Sequence, residues 1–188
     1  MLDKTTYVVI DGENIDATLG MSVLGHRPES EERPRWDRIL EYSRNHWNAN
    51  TKGLFFLNAS SGHLPMGFIQ ALMAMGFTPV PLSSDNPEDK VVDIGIQRTL
   101  EAIIDQGHGD VILGTHDADF LPHVDDLLRD GRRVGVMCFR EFLSSQFNEA
   151  IAEGLEVMDL EYDIEAFQVP LPRLHIIPLD EFDPRDIL

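Results

Sequence analysis

The sequence predicts an α/β fold in which a mostly parallel sheet is covered by helices on both faces. Six short apolar runs, each bounded by turn residues, have the length and composition of buried strands. Segments with the periodicity of amphipathic helices alternate with these runs along the chain. The 188 residues are enough for one domain with a full hydrophobic core.

The first half of the chain is expected to contain three strands and three helices. Asn14 can cap the first helix, Pro34 suits the first turn of the second, and Gly76 ends the third. The charged stretch 26–33 is expected to be an exposed loop. The strands are predicted at residues 7–10, 54–57 and 77–82, and the helices at 14–24, 34–47 and 65–76. The third helix is expected to bury Phe68, Ile69, Leu72 and Met73.

The second half continues the alternation of helices and strands. A long helix at 88–106 is predicted from apolar residues at helical spacing, namely Val92, Ile96, Leu100 and Ile103. Gly131 is expected to end the helix that follows the fourth strand. The strands are predicted at 110–113, 134–139 and 155–160, and the remaining helices at 118–130 and 141–153.

The carboxy-terminal part of the chain has a different character. We divide the sequence into a domain of residues 1–161 and an extended, proline-rich arm of residues 162–188. The arm has little helical periodicity, and its prolines are Pro170, Pro172, Pro178 and Pro184. Because it is also rich in apolar residues, we expect it to pack on this domain or on a second subunit, which would form a homodimer.

Composition indicates a globular protein that does not enter a membrane. Hydrophobic residues make up 43% of the chain and charged residues 26%. No apolar stretch approaches the roughly 20 residues that a membrane helix needs. The start of the chain, Met1–Lys4, lacks the basic-then-apolar pattern of a signal peptide, so we expect a cytoplasmic protein. The single cysteine, Cys138, excludes an intrachain disulfide and is expected to be buried.

The formal net charge of −18 argues against tight, non-specific binding of nucleic acid over the whole surface. The arginines are clustered, however, so a local basic patch is compatible with a polyanionic substrate. Candidates for contacts with substrate phosphates are Arg33, Arg35 and Arg38. Trp36 and Trp47 could stack on bases, although their spacing on a helix favours core packing.

Four aspartates lie where a carboxylate is unfavourable without a partner. One follows the first strand, one lies near the start of the long helix, and two follow the fourth strand: Asp11, Asp93, Asp117 and Asp119. Because ligands bind beyond the carboxyl ends of parallel strands, we expect these acids to meet at one edge of the sheet. Carboxylates gathered there repel unless they are protonated, paired or bridged by a cation, and a divalent metal is the simplest resolution.

Each acid also has a purely structural interpretation. Asp11 could satisfy backbone donors in a turn, Asp93 could be a solvated first-turn acid, and Asp117 and Asp119 could cap the following helix. Taken singly, these interpretations are favoured, whereas the four acids taken together favour a metal site. A weaker alternative is a transition-metal site formed by His116, Asp119 and His123.

Three short motifs occur in a characteristic order. They are Asp-Gly-Glu-Asn at 11–14, Lys-Val-Val-Asp at 90–93, and Thr-His-Asp-Ala-Asp-Phe at 115–120. In this order the chain resembles the NYN domain family, in the LabA-like branch of the PIN-like nucleases. The stretch 143–150 also resembles the closing helix of that family, and the whole resemblance covers residues 7–160.

The resemblance implies a Rossmann-like, three-layer α/β/α sandwich that hydrolyses RNA with Mg²⁺ or Mn²⁺. The implied substrate is single-stranded or structured RNA, cut by an endonuclease. The residues that match the family's metal-binding and catalytic carboxylates are Asp11, Asp93, Asp117 and Asp119. Asn14 matches a conserved amide, Thr115 stands where serine is usual, and His116 replaces a glycine, which would put an imidazole beside the metal site.

Two other functions fit parts of the sequence. A non-catalytic PIN-like regulator would bind RNA, a nucleotide or a protein partner, which the charge of −18, His116 and the arm favour. A Toprim-like phosphotransfer site is suggested by Asp117 and Asp119. It is disfavoured because that fold requires a glutamate at the end of the first strand, whereas Glu13 lies beyond Asp11.

Overall fold

The chain forms a six-stranded, fully parallel sheet in the computed structural model, which describes residues 4–188. The predicted α/β fold is therefore confirmed, while expectations that concern residues 1–3 lie outside the described residues. The strands are β1 (Thr5–Asp11), β2 (Asn50–Asn58), β3 (Phe77–Leu82), β4 (Asp110–Gly114), β5 (Val134–Cys138) and β6 (Glu156–Asp159).

Helices connect the strands and cover both faces of the sheet. Within residues 4–188 they are α1 (Gly12–Thr18), α2 (Trp36–Trp47), α3 (Met66–Ala74), α4 (Val91–Asp105), α5 (Leu121–Arg129) and α6 (Asn148–Ala152). In this described part of the chain, no helix combines the length and the apolar character needed to cross a bilayer.

The strand order β3-β2-β1-β4-β5-β6 determines where a ligand can bind. Strand β1 pairs with β2 on one side and with β4 on the other. The chain therefore winds outward from β1 in one direction and then from β4 in the other. In open parallel sheets, ligands bind beyond the carboxyl ends of the strands at this reversal.

Both faces of the sheet are buried, because side chains along β1 alternate between two apolar layers. Val8 and Ile10 belong to the layer under α1, α2 and α3, whereas Val9 belongs to the layer under α4, α5 and α6. Trp36 and Trp47 lie in the first layer and are only 5% and 8% exposed, so they pack in the core and are not available to stack on bases.

Helix α1 begins at Gly12, and the prediction that Asn14 caps it is wrong. The N-cap is Asp11, whose side chain accepts a hydrogen bond from the Asn14 N–H at 3.2 Å. Strand β1 thus runs directly into α1, because its last residue supplies the cap. Beyond α1 the chain widens into a π-helical segment, Leu19–Leu24, and ends at Gly25 with φ of 76°, a left-handed conformation that favours glycine.

The buried face of α3 is narrower than expected. Ile69 and Leu72 are buried, whereas Met73 is 61% exposed. Successive helical positions are rotated by about 100°, so Met73 follows Leu72 around the helix toward solvent. The expectation that Met73 fills the core is therefore wrong.

The helix predicted at 141–153 is mostly replaced by shorter turns. Two 3₁₀ turns, Arg140–Phe142 and Ser145–Phe147, precede α6. The Ser144 side chain accepts a hydrogen bond from the Gln146 N–H at 3.2 Å, which offers the backbone an alternative to a continuous helix.

The first part of the arm packs on the domain. Its buried side chains in the first apolar layer are Ile164, Ala166 and Leu171. Arg38 Nη1 donates to the carbonyl oxygens of Glu165 at 2.9 Å and Phe167 at 3.2 Å. Farther along, the exposed apolar side chains are Leu174, Ile176, Ile177, Leu179, Phe182, Ile187 and Leu188. The division of the chain near residue 161 stays a prediction.

On the two edge strands, some backbone positions have no free N–H group with which another strand could pair. Strand β3 contains Pro79 and Pro81, which lack an N–H and are tolerated at a sheet edge. At β6, the Asp159 N–H donates to Asp163 Oδ2 at 2.7 Å. Arg140 pairs with the same Asp163 carboxylate at 2.9 Å and holds it against the edge.

Cys138 provides a test of the packing around β5. The residue is fully buried, and burial raises the pKa of its thiol to about 12. Because the thiolate is the reactive form, we expect a chromogenic thiol reagent at about pH 8 to leave the native protein unmodified. The same reagent should titrate the thiol once guanidinium unfolds the chain. Rapid reaction of the native protein would contradict this packing.

Candidate metal centre

The candidate site lies at the reversal between β1 and β4. Asp11 is the last residue of β1, and Thr115 follows the end of β4, where Ile10 pairs with Gly114. This register brings the two side chains together, and the Thr115 hydroxyl donates to Asp11 Oδ2 at 3.4 Å. Both residues are buried, at 3% and 1% exposure. The sheet topology alone therefore positions a carboxylate where ligands bind.

Without a bound cation, the charged form of the Asp11 side chain is electrostatically unfavourable. Burial raises the pKa of its carboxyl to about 7, and the nearby charges of Asp93 and Glu13 raise it further. Hydrogen bonds from the Asn14 N–H and the Thr115 hydroxyl act in the opposite direction but do not compensate. A bound cation would relieve the same repulsion.

Asp93, Asp117 and Asp119 form a compact acidic cluster. One carboxylate oxygen of each lies within 4.8 Å of the others, the only such group among residues 4–188. Burial raises the pKa of the Asp93 carboxyl, the Asp117 charge raises it further, and Lys90 lowers it. Asp11 is not a member of this set, but its pKa responds to the Asp93 charge, so the four predicted acids share one electrostatic environment.

Local hydrogen bonds hold the loop that carries two of these acids. The Asp117 N–H donates to the Thr115 hydroxyl at 3.1 Å, and the Asp119 N–H donates to Asp117 Oδ1 at 2.9 Å. Asp117 thereby caps the 3₁₀ turn Ala118–Phe120 that leads into α5. The capping role expected for Asp117 and its place in the cluster are therefore compatible.

Two charged residues complete the surroundings of the cluster. Lys90 Nζ lies 3.9 Å from Oδ2 of both Asp93 and Asp119, and its side chain is 72% exposed. Glu13 is not among the acids that the sequence predicts for the site. Burial and the Asp93 charge raise the pKa of its carboxyl, while a hydrogen bond from the Asn58 backbone lowers it. Its position in the motif at 11–14, just beyond β1, is the signal that would have identified it.

His116 connects the site loop to two other elements. The Phe139 N–H donates to His116 Nε2 at 2.9 Å, so the ring proton is on Nδ1, which lies 2.9 Å from Asn14 Oδ1. The His116 N–H donates to the same Asn14 oxygen at 2.8 Å. Burial lowers the pKa of His116 to about 4, which keeps the ring neutral.

The imidazole is held by these hydrogen bonds and is not a member of the acidic cluster. The His116 ring lies between α1 and the ring of Phe139, and the planes of these two rings are 7° apart. A transition-metal site is also not formed by the described residues, because His123 Nε2 lies 3.2 Å from Glu101 and outside the acidic cluster. Asn14 supports the site through His116 rather than through a helix cap.

The three arginines proposed as phosphate contacts are engaged within the protein. Arg33 binds both oxygens of Asp16, at 2.7 and 3.2 Å. Arg35 binds both oxygens of Asp37, at 3.1 and 2.9 Å. Arg38 binds carbonyl groups of the arm. These contacts fix the loop, the start of α2 and the arm, respectively, and a role of the three side chains in binding phosphate stays a prediction.

The donor set fits a hard divalent cation. Carboxylate oxygens are the ligands that Mg²⁺ and Mn²⁺ prefer, and three of them converge within 4.8 Å. No thiol or free imidazole nitrogen belongs to the cluster, so the set is unlike a structural zinc site. The residues present can therefore hold Mg²⁺ or Mn²⁺.

The chain was compared with family models, curated proteins and solved structures, and two of the similar structures are described below. The NYN domain model matches residues 5–155. No curated protein matches the chain. A crystal structure of a protein of unknown function from Vibrio parahaemolyticus has a TM-score of 0.62 and 18% identity, covering 84% of this chain and 94% of that one, and shows the fold alone. YcaC from Pseudomonas aeruginosa has a TM-score of 0.41 and 14% identity, over 88% and 80% of the two chains.

Asp11→Asn should stabilise the metal-free protein at neutral to basic pH. The carboxyl pKa is 3.8 unfolded and about 7 folded. Its contribution to stability is thus present below pH 3.8 and is lost as pH rises through about 7. We expect urea denaturation in EDTA to give a gain on the order of 2–4 kcal/mol at about pH 8, vanishing toward pH 4.

The exposed Asp119 supplies the control for this measurement. Its side chain is 61% exposed, so Asp119→Asn should change the free energy of unfolding by less than about 0.5 kcal/mol. Adding Mn²⁺ should narrow the difference between wild type and Asp11→Asn, because the ion stabilises only the folded site. A wild type more stable than Asp11→Asn at about pH 8 in EDTA would refute the electrostatic account.

His116→Ala should destabilise the fold. The substitution leaves the Phe139 N–H and Asn14 Oδ1 without their partners, at a cost of about 2–3 kcal/mol. Chemical denaturation measures the effect, and His63→Ala is the control because His63 is exposed and its ring makes no hydrogen bond among the described residues. Equal stabilities for the two variants would show that the hydrogen bonds of His116 contribute little to the free energy of unfolding.

Proposed function

The chain belongs to the NYN domain family, within the PIN-like nuclease superfamily, and on this basis we propose that it is a metal-dependent ribonuclease. We propose further that it belongs to the LabA-like branch and cuts within RNA strands. The observation that carries the proposal is the convergence of Asp93, Asp117 and Asp119 beside the buried Asp11. The three acids of the cluster lie within residues 5–155, which the NYN domain model matches.

In this proposal, Asp93, Asp117 and Asp119 hold Mg²⁺ or Mn²⁺, and Asp11 completes the site from the end of β1. When bound, the ion supplies Lewis-acid chemistry, since it polarises a phosphoryl oxygen and makes water more acidic. The cluster without an ion repels phosphate, so a bound ion favours binding of the phosphate at this site.

The protein's own contribution is to fix the carboxylates before RNA arrives. Asp11 Oδ1 is held by the Asn14 N–H, and Oδ2 is held by the Thr115 hydroxyl. The second of these donors lies in the loop that carries Asp117, so one set of hydrogen bonds orients both acids. Such preorganisation lowers the reorganisation needed when the phosphate binds.

Lys90 is well placed to bind the substrate. Its ammonium balances Asp93 and Asp119 at 3.9 Å, but the side chain is 72% exposed and keeps its mobility. An ammonium at this distance makes only a weak ion pair in water. We therefore assign Lys90 to the phosphate of the RNA once a metal ion takes over the neutralisation of the two aspartates.

We also propose that the protein acts in the cytoplasm, as an RNA substrate implies, and as a homodimer formed through the arm. The exposed apolar side chains beyond Arg173 support the dimer, because Leu174, Ile176 and Leu179 are 105%, 98% and 88% exposed. Sedimentation of the full chain beside a chain truncated after Arg173 would test this assembly.

A non-catalytic regulator is the second candidate, favoured by the net charge of −18. Such a charge opposes long-range attraction of RNA and suits a protein partner of opposite charge. Metal titration separates the two functions, because a nuclease gains activity from the ion whereas a regulator gains only stability.

Asp93→Asn and Asp117→Asn should each reduce Mn²⁺-dependent cleavage of labelled RNA by about 100-fold or more, because each removes a ligand of the ion. Single-stranded and hairpin RNA serve as substrates, and EDTA should abolish the wild-type activity. The matched control is Asp105→Asn, since Asp105 is exposed at the opposite end of α4 from Asp93. Full activity in Asp93→Asn would exclude the proposed site.

Asp11→Asn separates catalysis from folding in the same assay. We expect cleavage to be lost although the metal-free variant is more stable than the wild type, because removing the Asp11 charge relieves repulsion among the acids. No cleavage by wild-type protein in either Mg²⁺ or Mn²⁺ would favour the regulator.

A further inference from the structure

A groove runs away from the candidate metal centre along one side of α1. Ile15 and Leu19 of the first helical stretch face the core, and Asn14 and Thr18 face His116. The third side of this helical stretch lines a groove of about 630 Å³. Its walls include Glu13, Ala17 and Met21 on one side and His26, Arg27 and Pro28 on the other.

The groove begins beside the end of β1. Glu13, which lines its near end, is in the first turn of α1, two residues after Asp11. A strand whose phosphate lies at the acidic cluster would therefore find the groove next to it. The groove has the size of clefts that bind small organic groups, and Met21, which is 83% exposed, gives it an apolar surface.

The outer wall of the groove is an ordered structure, although the sequence suggested only an exposed loop. Glu29 and Glu32 form a reciprocal capping box around a 3₁₀ turn, Ser30–Glu32. His26 Nε2 lies 3.0 Å from the Glu32 carboxylate. Arg33, which binds Asp16 of α1, ties the far end of the segment to the helix.

A close approach of backbone to backbone sets the width of the groove. A Cβ on Gly20 would lie 3.0 Å from the His26 carbonyl oxygen and 3.0 Å from Pro28 Cδ. Only glycine therefore permits this contact between the π-helical segment and the outer wall without displacement. Pro28 is buried at this contact, which places the neighbouring Arg27 at the rim.

Arg27 differs from the other cations of this region. His26 and Arg33 are paired with carboxylates, whereas no carboxylate in residues 4–188 lies within ion-pair distance of Arg27. Its side chain is exposed and lines the groove. An unpaired guanidinium beside an apolar surface has the chemistry that binds a phosphate next to a base.

We propose that this groove binds the nucleotide adjacent to the cleaved phosphate of a single-stranded RNA. Arg27 binds the phosphate, and Met21 and Ala17 provide the surface against which the base packs. The inference rests on the proposed ribonuclease function and identifies the strand that the enzyme selects. A duplex keeps its bases stacked and paired inside the helix, so it cannot place one base in a groove of this kind.

Binding of RNA in EDTA tests the groove without cleavage. Fluorescence anisotropy with a labelled single-stranded RNA of about 12 nucleotides should give an affinity roughly tenfold lower for Arg27→Ala than for wild type at low salt. The slope of log affinity against log salt concentration should become smaller by about 1, because one phosphate contact is lost. Arg27→Lys should recover part of the loss, and a duplex of the same sequence should bind at least about tenfold more weakly to wild type.

Two further variants separate this groove from a general charge effect. Arg44→Ala removes an exposed arginine of the last turn of α2, far from the groove, and should bind RNA like wild type. Ala17→Phe fills the groove from an exposed helical position and should weaken binding, whereas Ala17→Ser should not. Equal affinity of wild type, Arg27→Ala and Ala17→Phe would overturn the proposal.

The outcome for the groove is distinguishable from the outcome for the nuclease. Cleavage by wild type that is lost in Asp93→Asn, together with unchanged binding in Arg27→Ala, would retain the nuclease and reject the groove. Loss of binding in Arg27→Ala and Ala17→Phe, with no cleavage by wild type, would retain the groove as an RNA site and reject the nuclease.

Discussion

The burial of the Asp11 carboxylate at the end of β1 is the constraint on which the rest of the site depends. Parallel pairing of β1 with β2 and β4 leaves this side chain almost without solvent, so its charged form is stabilised only by two hydrogen bonds and by any bound cation. The same carboxylate caps α1, which fixes the direction in which the helix leaves the sheet. Its position therefore determines both the acidic centre and the groove beside α1.

The surrounding polar network makes this arrangement rigid. Asn14 on α1, His116 after β4 and Phe139 after β5 are connected by hydrogen bonds of 2.8–2.9 Å. Because the imidazole is neutral, it accepts one backbone N–H and donates to Asn14 without adding charge to an acidic region. The residue that departs from the family motif thus stabilises the loop that carries Asp117.

The sequence predicts the fold well, because buried strands and amphipathic helices are recognised from local patterns. Buried parallel strands are continuous apolar runs, and their carboxyl ends must meet at one edge, which brings Asp93 and Asp117 together. The orientation of His116 depends instead on Phe139, a distant residue. Arg38 likewise finds its acceptors in the arm, more than a hundred residues away. The sequence alone does not determine where α1 begins, because Asp11 and Asn14 are both good N-cap residues. In the structure β1 ends at Asp11, and Asp11 is the N-cap.

The edges of the sheet limit how copies of this protein can associate. An unprotected edge strand is a template for another chain, whose backbone continues the ladder of hydrogen bonds. Here the prolines of β3 remove backbone N–H donors from one edge. At the other edge, the Asp159 N–H already donates to Asp163, which is held by Arg140. Growth of a continuous intermolecular sheet, the route to fibrils, is thereby disfavoured. The protein can thus tolerate an apolar, exposed carboxy-terminal segment that would otherwise favour aggregation.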